Sequence, residues 1–254
     1  MPESSASLPV PLPVVLVHGA WHGAWCWSAL QAELDRRGIA SYALDLPGHA
    51  SSELPLGDLH GDAALVAASI DALDRDVVLV GHSYGGAVIG EASVRTDRVR
   101  HLVYLTAFVL DAGESLMGLM RTMPPAETPL GASMVIRDDG TSVIDPAGAV
   151  RAFYEHCPPG VAEAAISRLS PQPFATFTQA TTGAGWATIP STYVRCTDDQ
   201  AIHLDHQTYM ASRCGDVQTL HTDHSPFASA VVDTADILER IAFSAAATSA
   251  AVGS

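Results

Sequence analysis

Residues 77–89 read VVLVGHSYGGAVI, and they decide how the rest of the chain is interpreted. Four apolar residues run into the turn GHSYG at 81–85, and a helix-compatible segment of small residues follows. A strand that ends on a G-x-S-x-G turn and continues as a helix is typical of a nucleophilic serine. The flanking glycines suit a turn too tight for Cβ atoms, with the serine strained so that its Oγ is raised. Ser83 is therefore the candidate nucleophile.

Apolar strand patterns and helical patterns alternate on both sides of this segment. The predicted strands are residues 13–18, 40–46, 76–80, 99–106, 191–196 and 216–220. The predicted helices in the same regions are residues 25–37, 61–73, 84–94, 204–213 and 229–243. This alternation predicts an α/β fold with a mainly parallel sheet of about six strands, flanked by helices. Loops at the carboxyl ends of the strands are then expected to carry the site.

The alternation is lost over residues 108–189, which are rich in methionine and proline. So long an excursion between strands predicts a mostly helical cap, inserted after the fourth strand. Residues 13–107 and 190–244 then form the core. Residues 1–12, broken by prolines, and the low-complexity residues 245–254 are expected to be disordered.

Composition excludes several classes of function. The 254 residues are 48% hydrophobic, enough for one large α/β domain with an insertion. Thirteen basic against 28 acidic residues give a net charge of −15, which argues against binding nucleic acid or anionic membranes. All basic residues are arginines, so lysine-dependent chemistry such as a Schiff base or a P-loop is excluded. With no basic signal region and no membrane-length apolar run, a cytoplasmic protein is expected.

Neither a metal nor another cofactor is expected from the sequence. The four cysteines are far apart and have no C-x-x-C spacing, so they indicate neither a zinc site nor a disulfide framework. A group of histidines and aspartates near the carboxyl end also matches no standard zinc motif. Its members are His203, Asp205, His206, His221, Asp223 and His224.

A serine hydroxyl needs a histidine base, and that base is oriented by a carboxylate. The order serine, acid, histidine is met by Ser83, then Asp198 or Asp199, then His224. His224 is the predicted general base and later general acid. His221 competes for that role.

Two further features complete the predicted site. The turn HGAW at 18–21 follows the first strand, where a backbone N–H near Ala20 can act with that of Tyr84 as an oxyanion donor. Asp111, after an earlier strand, is the fallback acid.

The substrate is expected to contact Gly19, Trp21, Phe108, Trp186 and Ser225. Apolar cap residues either line the same pocket or form the cap's own core: Met117, Met120, Met123, Phe153, Phe174, Phe177 and Trp186.

Several segments together resemble the plant methyl esterase and hydroxynitrile lyase group of α/β-hydrolases, and similar bacterial carboxylesterases. They are VLVHGAWHGAWCW, LVGHSYGGAVI, VYLTAF, YVRCTDDQAI and the Asp-His pair at 223–224. The resemblance implies an α/β-hydrolase fold, and it places the family's serine, acid and histidine on Ser83, Asp199 and His224. The lyase branch has a threonine and a lysine where this chain has Gly19 and Ser225. The resemblance therefore favours the esterase branch.

The predicted function is that of a serine carboxylesterase without cofactor, acting on a small or medium-sized neutral ester through an acyl-enzyme. The alternatives are a lyase, lactonase or thioesterase reaction on the same fold, and a ligand receptor that does not hydrolyse. Among partners, the sequence leaves a homodimer as one option.

Overall fold

The computed structural model describes residues 10–252, with side chains as far as residue 249. Within this range two sheets are present. The larger has six parallel strands in the order β2-β1-β3-β4-β8-β9: β1 (Val14–Val17), β2 (Ser41–Leu44), β3 (Val77–Ser83), β4 (Val99–Ala107), β8 (Ser191–Cys196) and β9 (Asp216–Leu220). The smaller is antiparallel and consists of β5 (Met134–Ile136), β6 (Thr141–Ile144) and β7 (Gln172–Pro173).

Helices cover the larger sheet and build much of the segment between β4 and β8. In the core they are α1 (Ser28–Arg36), α2 (Leu59–Leu73), α3 (Gly85–Ala92), α9 (Leu204–Ala211), α10 (Pro226–Ser229) and α11 (Val231–Val252). Between β4 and β8 they are α4 (Leu116–Thr122), α5 (Pro129–Ser133), α6 (Pro146–Phe153), α7 (Pro159–Ile166) and α8 (Ala175–Thr178). Short 3-10 segments lie at Ala24–Trp27 and Gly185–Ala187.

The central strands explain where the site must form. Every residue of β1 and β3 is buried, as expected of parallel strands covered on both faces. β2 lies on one side of β1, and β3 lies on the other. A crevice opens at the carboxyl ends of strands where the order diverges in this way. The loops after β1, β3, β8 and β9 meet at this edge. The fold class predicted from the sequence is therefore confirmed.

The segment 108–189 is less purely helical than the sequence predicts, because it includes the three-stranded sheet. Residues 134–144 form a hairpin, in which the Arg137 N–H donates to Thr141 O over 2.8 Å. The turn contains Gly140 at a φ of +79°, a conformation that favours glycine. β-Branched residues and an Asp-Gly turn are the local signals of this hairpin.

The chain ends also differ from expectation. Residues 1–9, most of the segment 1–12 predicted to be disordered, lie outside the described residues, and the Leu12 N–H donates to Ala242 O over 3.2 Å. Residues 245–252 continue α11, although disorder is predicted for 245–254. Alanine has the highest intrinsic helix propensity, which explains why this alanine-rich stretch extends the helix. None of the helices in the described range is long and apolar enough to cross a membrane.

Candidate active site

Ser83 lies at the turn between β3 and α3, in a backbone conformation that few side chains tolerate. Its φ is +53°, in the left-handed region. A Cβ on Gly85 would come within 2.6 Å of Val17 O, and one on Gly81 would overlap the Gly85 carbonyl. Only glycine therefore fits on either side of the serine, and the strained turn directs Ser83 toward a cavity that it lines.

The acid and the base approach from the loops after β8 and β9. His224 Nδ1–H donates to Asp199 Oδ2 over 2.7 Å, and both side chains are buried. Asp199 Oδ1 accepts the N–H groups of Ala201 and Ile202 at 2.6 and 2.9 Å, while Thr106 Oγ1 donates to Oδ2. Because a carboxylate only accepts, the imidazole carries its proton on Nδ1 and leaves Nε2 as an acceptor.

His82 joins the serine turn to the histidine loop. Its Nε2–H donates to the His224 carbonyl over 2.8 Å, and the centroids of the two rings are 4.5 Å apart. Burial keeps the pKa of His82 well below the ordinary value, so this side chain is a neutral donor. Ser83 Oγ and His224 Nε2 are not hydrogen-bonded to each other here. In free enzymes such pairs are often aligned only when the substrate binds.

The competing candidates lie outside this arrangement. Asp198 has a half-exposed side chain, and its Oδ2 lies 3.9 Å from His156 Nε2. His221 is exposed and lies 3.2 Å from Thr197 Oγ1. Asp111 is exposed at the start of the cap. The geometry thus pairs Asp199 with His224 rather than any of these three.

The two predicted oxyanion donors line the same cavity as Ser83. Within the described residues, the backbone N–H groups of Ala20 and Tyr84 have no hydrogen-bond partner. Gly19 lies beside them, where a Cβ would be 2.9 Å from Ser83 Cβ and 2.8 Å from His82 Nδ1. Its role is to let the loop after β1 pack against the serine turn. Two free donors beside the nucleophile are what an oxyanion hole requires.

Two buried histidines hold the peptide groups around Ala20. His18 Nδ1–H donates to Gly19 O over 2.8 Å, and His18 Nε2 accepts the Leu46 N–H at 3.1 Å. His22 Nδ1–H donates to Ala20 O over 2.8 Å, and His22 Nε2 accepts from the Tyr154 hydroxyl at 2.7 Å. Burial lowers the pKa of His18 to about 3 and that of His22 to about 4. Both rings are therefore neutral, and their roles in the site are not evident from the sequence.

The cavity at Ser83 has a volume of about 150 Å³, and its lining residues are uncharged. Larger crevices exist elsewhere, such as one of about 550 Å³ beside Trp25 and Arg168, but they do not reach the nucleophile. No cluster that could hold a metal ion occurs among the residues described. The apolar side chains of the lining are Trp21, Phe108, Leu116, Met117, Met120, Leu130, Met134 and Phe177.

Some of the residues predicted to contact substrate lie elsewhere. Trp186 is absent from the lining, because its Nε1–H donates to Leu110 O over 2.8 Å and its ring faces the Arg213 guanidinium at 5.9 Å. Ser225 is fully buried at the start of α10 and is likewise absent from the lining. Met123, Phe153 and Phe174 also lie outside the lining of this cavity.

This fold and site define the class of protein. The sequence model described as the alpha/beta hydrolase family matches residues 14–237, and the chain belongs to that family. It is 33% identical over 213 residues to alpha/beta hydrolase nvfD of Aspergillus novofumigatus, a match that covers 79% of this chain and 83% of that protein.

Two further comparisons, one of sequence and one of fold, agree with this family. It is 27% identical to methylesterase 2 of Arabidopsis thaliana, a match over 77% of this chain and 81% of that protein. Its fold is similar to that of a pyrethroid hydrolase from Sphingobium faniae, with a TM-score of 0.80 and 24% identity over 91% of this chain and 97% of that one. The resemblance to plant methylesterases and bacterial esterases is thus confirmed.

Proposed function

We propose that this carboxylic ester hydrolase is a serine esterase that cleaves small or medium-sized neutral esters through an acyl-enzyme. One observation carries the proposal. The nucleophile turn at Ser83 and two unpaired backbone N–H groups lie at one small, uncharged cavity, and His82 links this turn to the loop that carries the Asp199–His224 pair. These are the parts that acyl transfer needs.

Each part has a role in the proposed reaction. Ser83 Oγ attacks the carbonyl carbon while His224 Nε2 accepts its proton, and the carbonyl electron pair moves to oxygen. The N–H groups of Ala20 and Tyr84 donate to that oxyanion. When the tetrahedral intermediate collapses, His224 returns the proton to the leaving alcohol and Ser83 stays acylated. Water then attacks the acyl carbon while His224 Nε2 accepts its proton. His224 returns this proton to Ser83 Oγ when the second tetrahedral intermediate collapses, and the carboxylic acid leaves.

The cavity and the charge of the chain limit the substrate. An uncharged, mostly apolar lining gives no counter-ion to an anionic or cationic substituent, and desolvating such a group is costly. The net charge of −15 also disfavours acidic esters in the encounter. A cavity of about 150 Å³ suits a short substituent. We therefore assign neutral esters with one short apolar group as the substrate class.

The test compares hydrolysis of p-nitrophenyl esters from acetate to octanoate by the wild type and by Ser83→Ala. A fluorophosphonate probe is applied in parallel. Turnover should fall by roughly 10³-fold or more in Ser83→Ala, and labelling should vanish. Ser93→Ala, a buried serine at the end of α3, is the matched control and should keep both.

A wild type that neither turns over esters nor reacts with the probe would contradict the proposal. Binding of ester analogues without turnover would instead support the receptor alternative. Labelling of Ser83 without hydrolysis of simple esters would support a specialised lyase, lactonase or thioesterase reaction.

A further inference from the structure

Trp21 connects the loop after β1 to the cap through both its backbone and its side chain. Its Nε1–H lies 3.1 Å from Ser142 O and 3.2 Å from Ser142 Oγ. Its carbonyl accepts the Ser170 N–H at 2.9 Å, and its own N–H donates to Gln172 Oε1 over 3.4 Å. All three partners belong to the cap, at or beside its small sheet. Trp21 is thus held by cap residues at every polar atom it has.

The conformation of Trp21 requires such support. Its φ is +64°, in the left-handed region that a bulky residue seldom adopts. Strained residues of this kind persist only where their surroundings over-determine them. Gln172 is fully buried, and its Nε2–H donates to Thr176 Oγ1 over 3.0 Å, which fixes the amide with Oε1 toward Trp21.

The support matters because Trp21 directly follows Ala20, whose N–H is a proposed oxyanion donor. His18 holds the Gly19–Ala20 peptide at its carbonyl. The next peptide is held on both sides, by His22 at the Ala20 carbonyl and by Gln172 at the Trp21 N–H. The direction of the Ala20 N–H depends on these two peptide planes. One of the anchors therefore comes from the cap rather than from the core.

We propose that the cap completes the oxyanion hole, with Gln172 as a positioning residue that aligns the Ala20 N–H through Trp21. The cap then contributes to the chemical step as well as to the shape of the pocket. A cap residue without contact to the substrate sets the geometry of a donor that acts in the transition state.

A second cap glutamine provides a matched control. Gln179 Oε1 accepts the Leu59 N–H of the core at 2.8 Å, and its Nε2–H donates to Asp58 Oδ2 over 3.1 Å. Like Gln172, it joins the cap to a core backbone N–H, but it does so at the start of α2. Gln179→Met thus weakens cap docking in general, whereas Gln172→Met removes the acceptor of the Trp21 N–H.

The first experiment measures ester hydrolysis by both variants, and this part rests on the proposed esterase function. Gln172→Met should lower kcat roughly 10- to 100-fold with KM nearly unchanged, because a misplaced donor weakens only transition-state binding. Affinity for a trifluoromethyl ketone should fall in parallel, since its adduct with Ser83 carries an oxyanion. Gln172→Glu keeps an acceptor oxygen, and burial favours the protonated carboxyl at this position, so this variant should retain more of kcat. Gln179→Met should stay within about twofold of the wild type.

The second experiment does not depend on activity. Amide hydrogen exchange of Trp21, followed by NMR, should accelerate in Gln172→Met and stay unchanged in Gln179→Met. Unchanged exchange in Gln172→Met, a raised KM at constant kcat, or an equal loss of kcat in both Met variants would each overturn the proposal. A wild type without esterase activity would overturn the proposed function alone, and the exchange measurement would still decide whether Gln172 holds Trp21.

Discussion

The core and the cap contribute to the same site by different physical means. In the core, Ser83 is positioned by a strained turn between two glycines, and the Asp199 carboxylate is held by two backbone N–H groups. In the cap, the contributions are side chains, such as Leu130 in the cavity lining and Gln172 against Trp21. Core substitutions should therefore abolish the chemistry, and cap substitutions should adjust its rate and selectivity.

The largest expected effect is at the base in the core. His224→Ala should lower kcat for ester hydrolysis by a factor on the order of 10⁴ to 10⁶, because Ser83 then has no proton acceptor. His221→Ala, three residues earlier on the exposed side of the same loop, is the matched control. A comparable loss in His221→Ala would mean that the base has been assigned to the wrong histidine. Steady-state kinetics with p-nitrophenyl acetate decides between the two.

The acid comes next. Asp199→Asn keeps the size of the side chain but removes the anion that fixes the His224 tautomer, so kcat should fall by about 10⁴. Asp198→Asn, the neighbouring half-exposed carboxylate, should change kcat by less than about twofold. The pair separates the two acids that the sequence order alone leaves open. Equal losses in the two variants would contradict the pairing of Asp199 with His224.

The same contrast explains what the sequence could predict. The core has clear local signals, because glycines are required at 81 and 85 and buried parallel strands are continuously apolar. These signals predicted the sheet, the serine turn and the pair of histidine and acid candidates. The choice between Asp198 and Asp199 needed the resemblance. The two residues are of the same type and adjacent in the chain, and they differ only in which side chain the loop directs inward.

The cap carries weaker signals, because its residues act through contacts between segments far apart in the chain. Trp186 looks like a pocket aromatic, yet its indole N–H is bonded to Leu110 O. Gln172 belongs to no recognisable sequence motif, and its proposed role appears only when β7 is placed beside Trp21.

The end of the core was also predicted incompletely. The extension of α11 through residues 245–252 was missed because small residues suit both a helix and a disordered tail.

A buried carboxyl at the boundary between core and cap gives an effect of intermediate size. Asp62 on α2 accepts the Tyr84 hydroxyl at 2.6 Å, and the Tyr84 ring meets Phe177 of the cap edge-on, with centroids 6.1 Å apart. Burial raises the pKa of Asp62 to about 7, and the negative charge of Asp58 adds to this, against the opposing effect of the Tyr84 hydrogen bond. The folded protein thus favours the protonated carboxyl.

Asp62 should therefore make the fold less stable as the pH rises. The unfolded chain releases this proton near its ordinary pKa of 3.8 and the folded chain only near 7, so stability present at low pH is lost across that window. Asp62→Asn lacks this loss. Its free energy of unfolding relative to the wild type should increase from pH 4 to pH 7 by up to about 4 kcal/mol and then level off.

Urea unfolding at a series of pH values measures this difference, and Asp35→Asn on the exposed side of α1 is the control for removing a surface carboxylate. A difference that stays constant or decreases between pH 5 and pH 7 would show that Asp62 is ionised in the folded protein. The boundary between core and cap would then be more hydrated than the buried position of Asp62 indicates.

The smallest expected effect is on selectivity, and it lies wholly in the cap. Leu130 on α5 lines the cavity, so Leu130→Ala enlarges it and Leu130→Phe reduces it. Because each methylene in an apolar pocket is worth about 1 to 3 kcal/mol, the ratio of kcat/KM for a six-carbon over a two-carbon substituent should change about tenfold in opposite directions. Two ester series, one varied in the acyl group and one in the alcohol, identify which group occupies the cavity. If both variants shift both series in the same direction, Leu130 does not contact the substrate, and selectivity is set by the core rather than the cap.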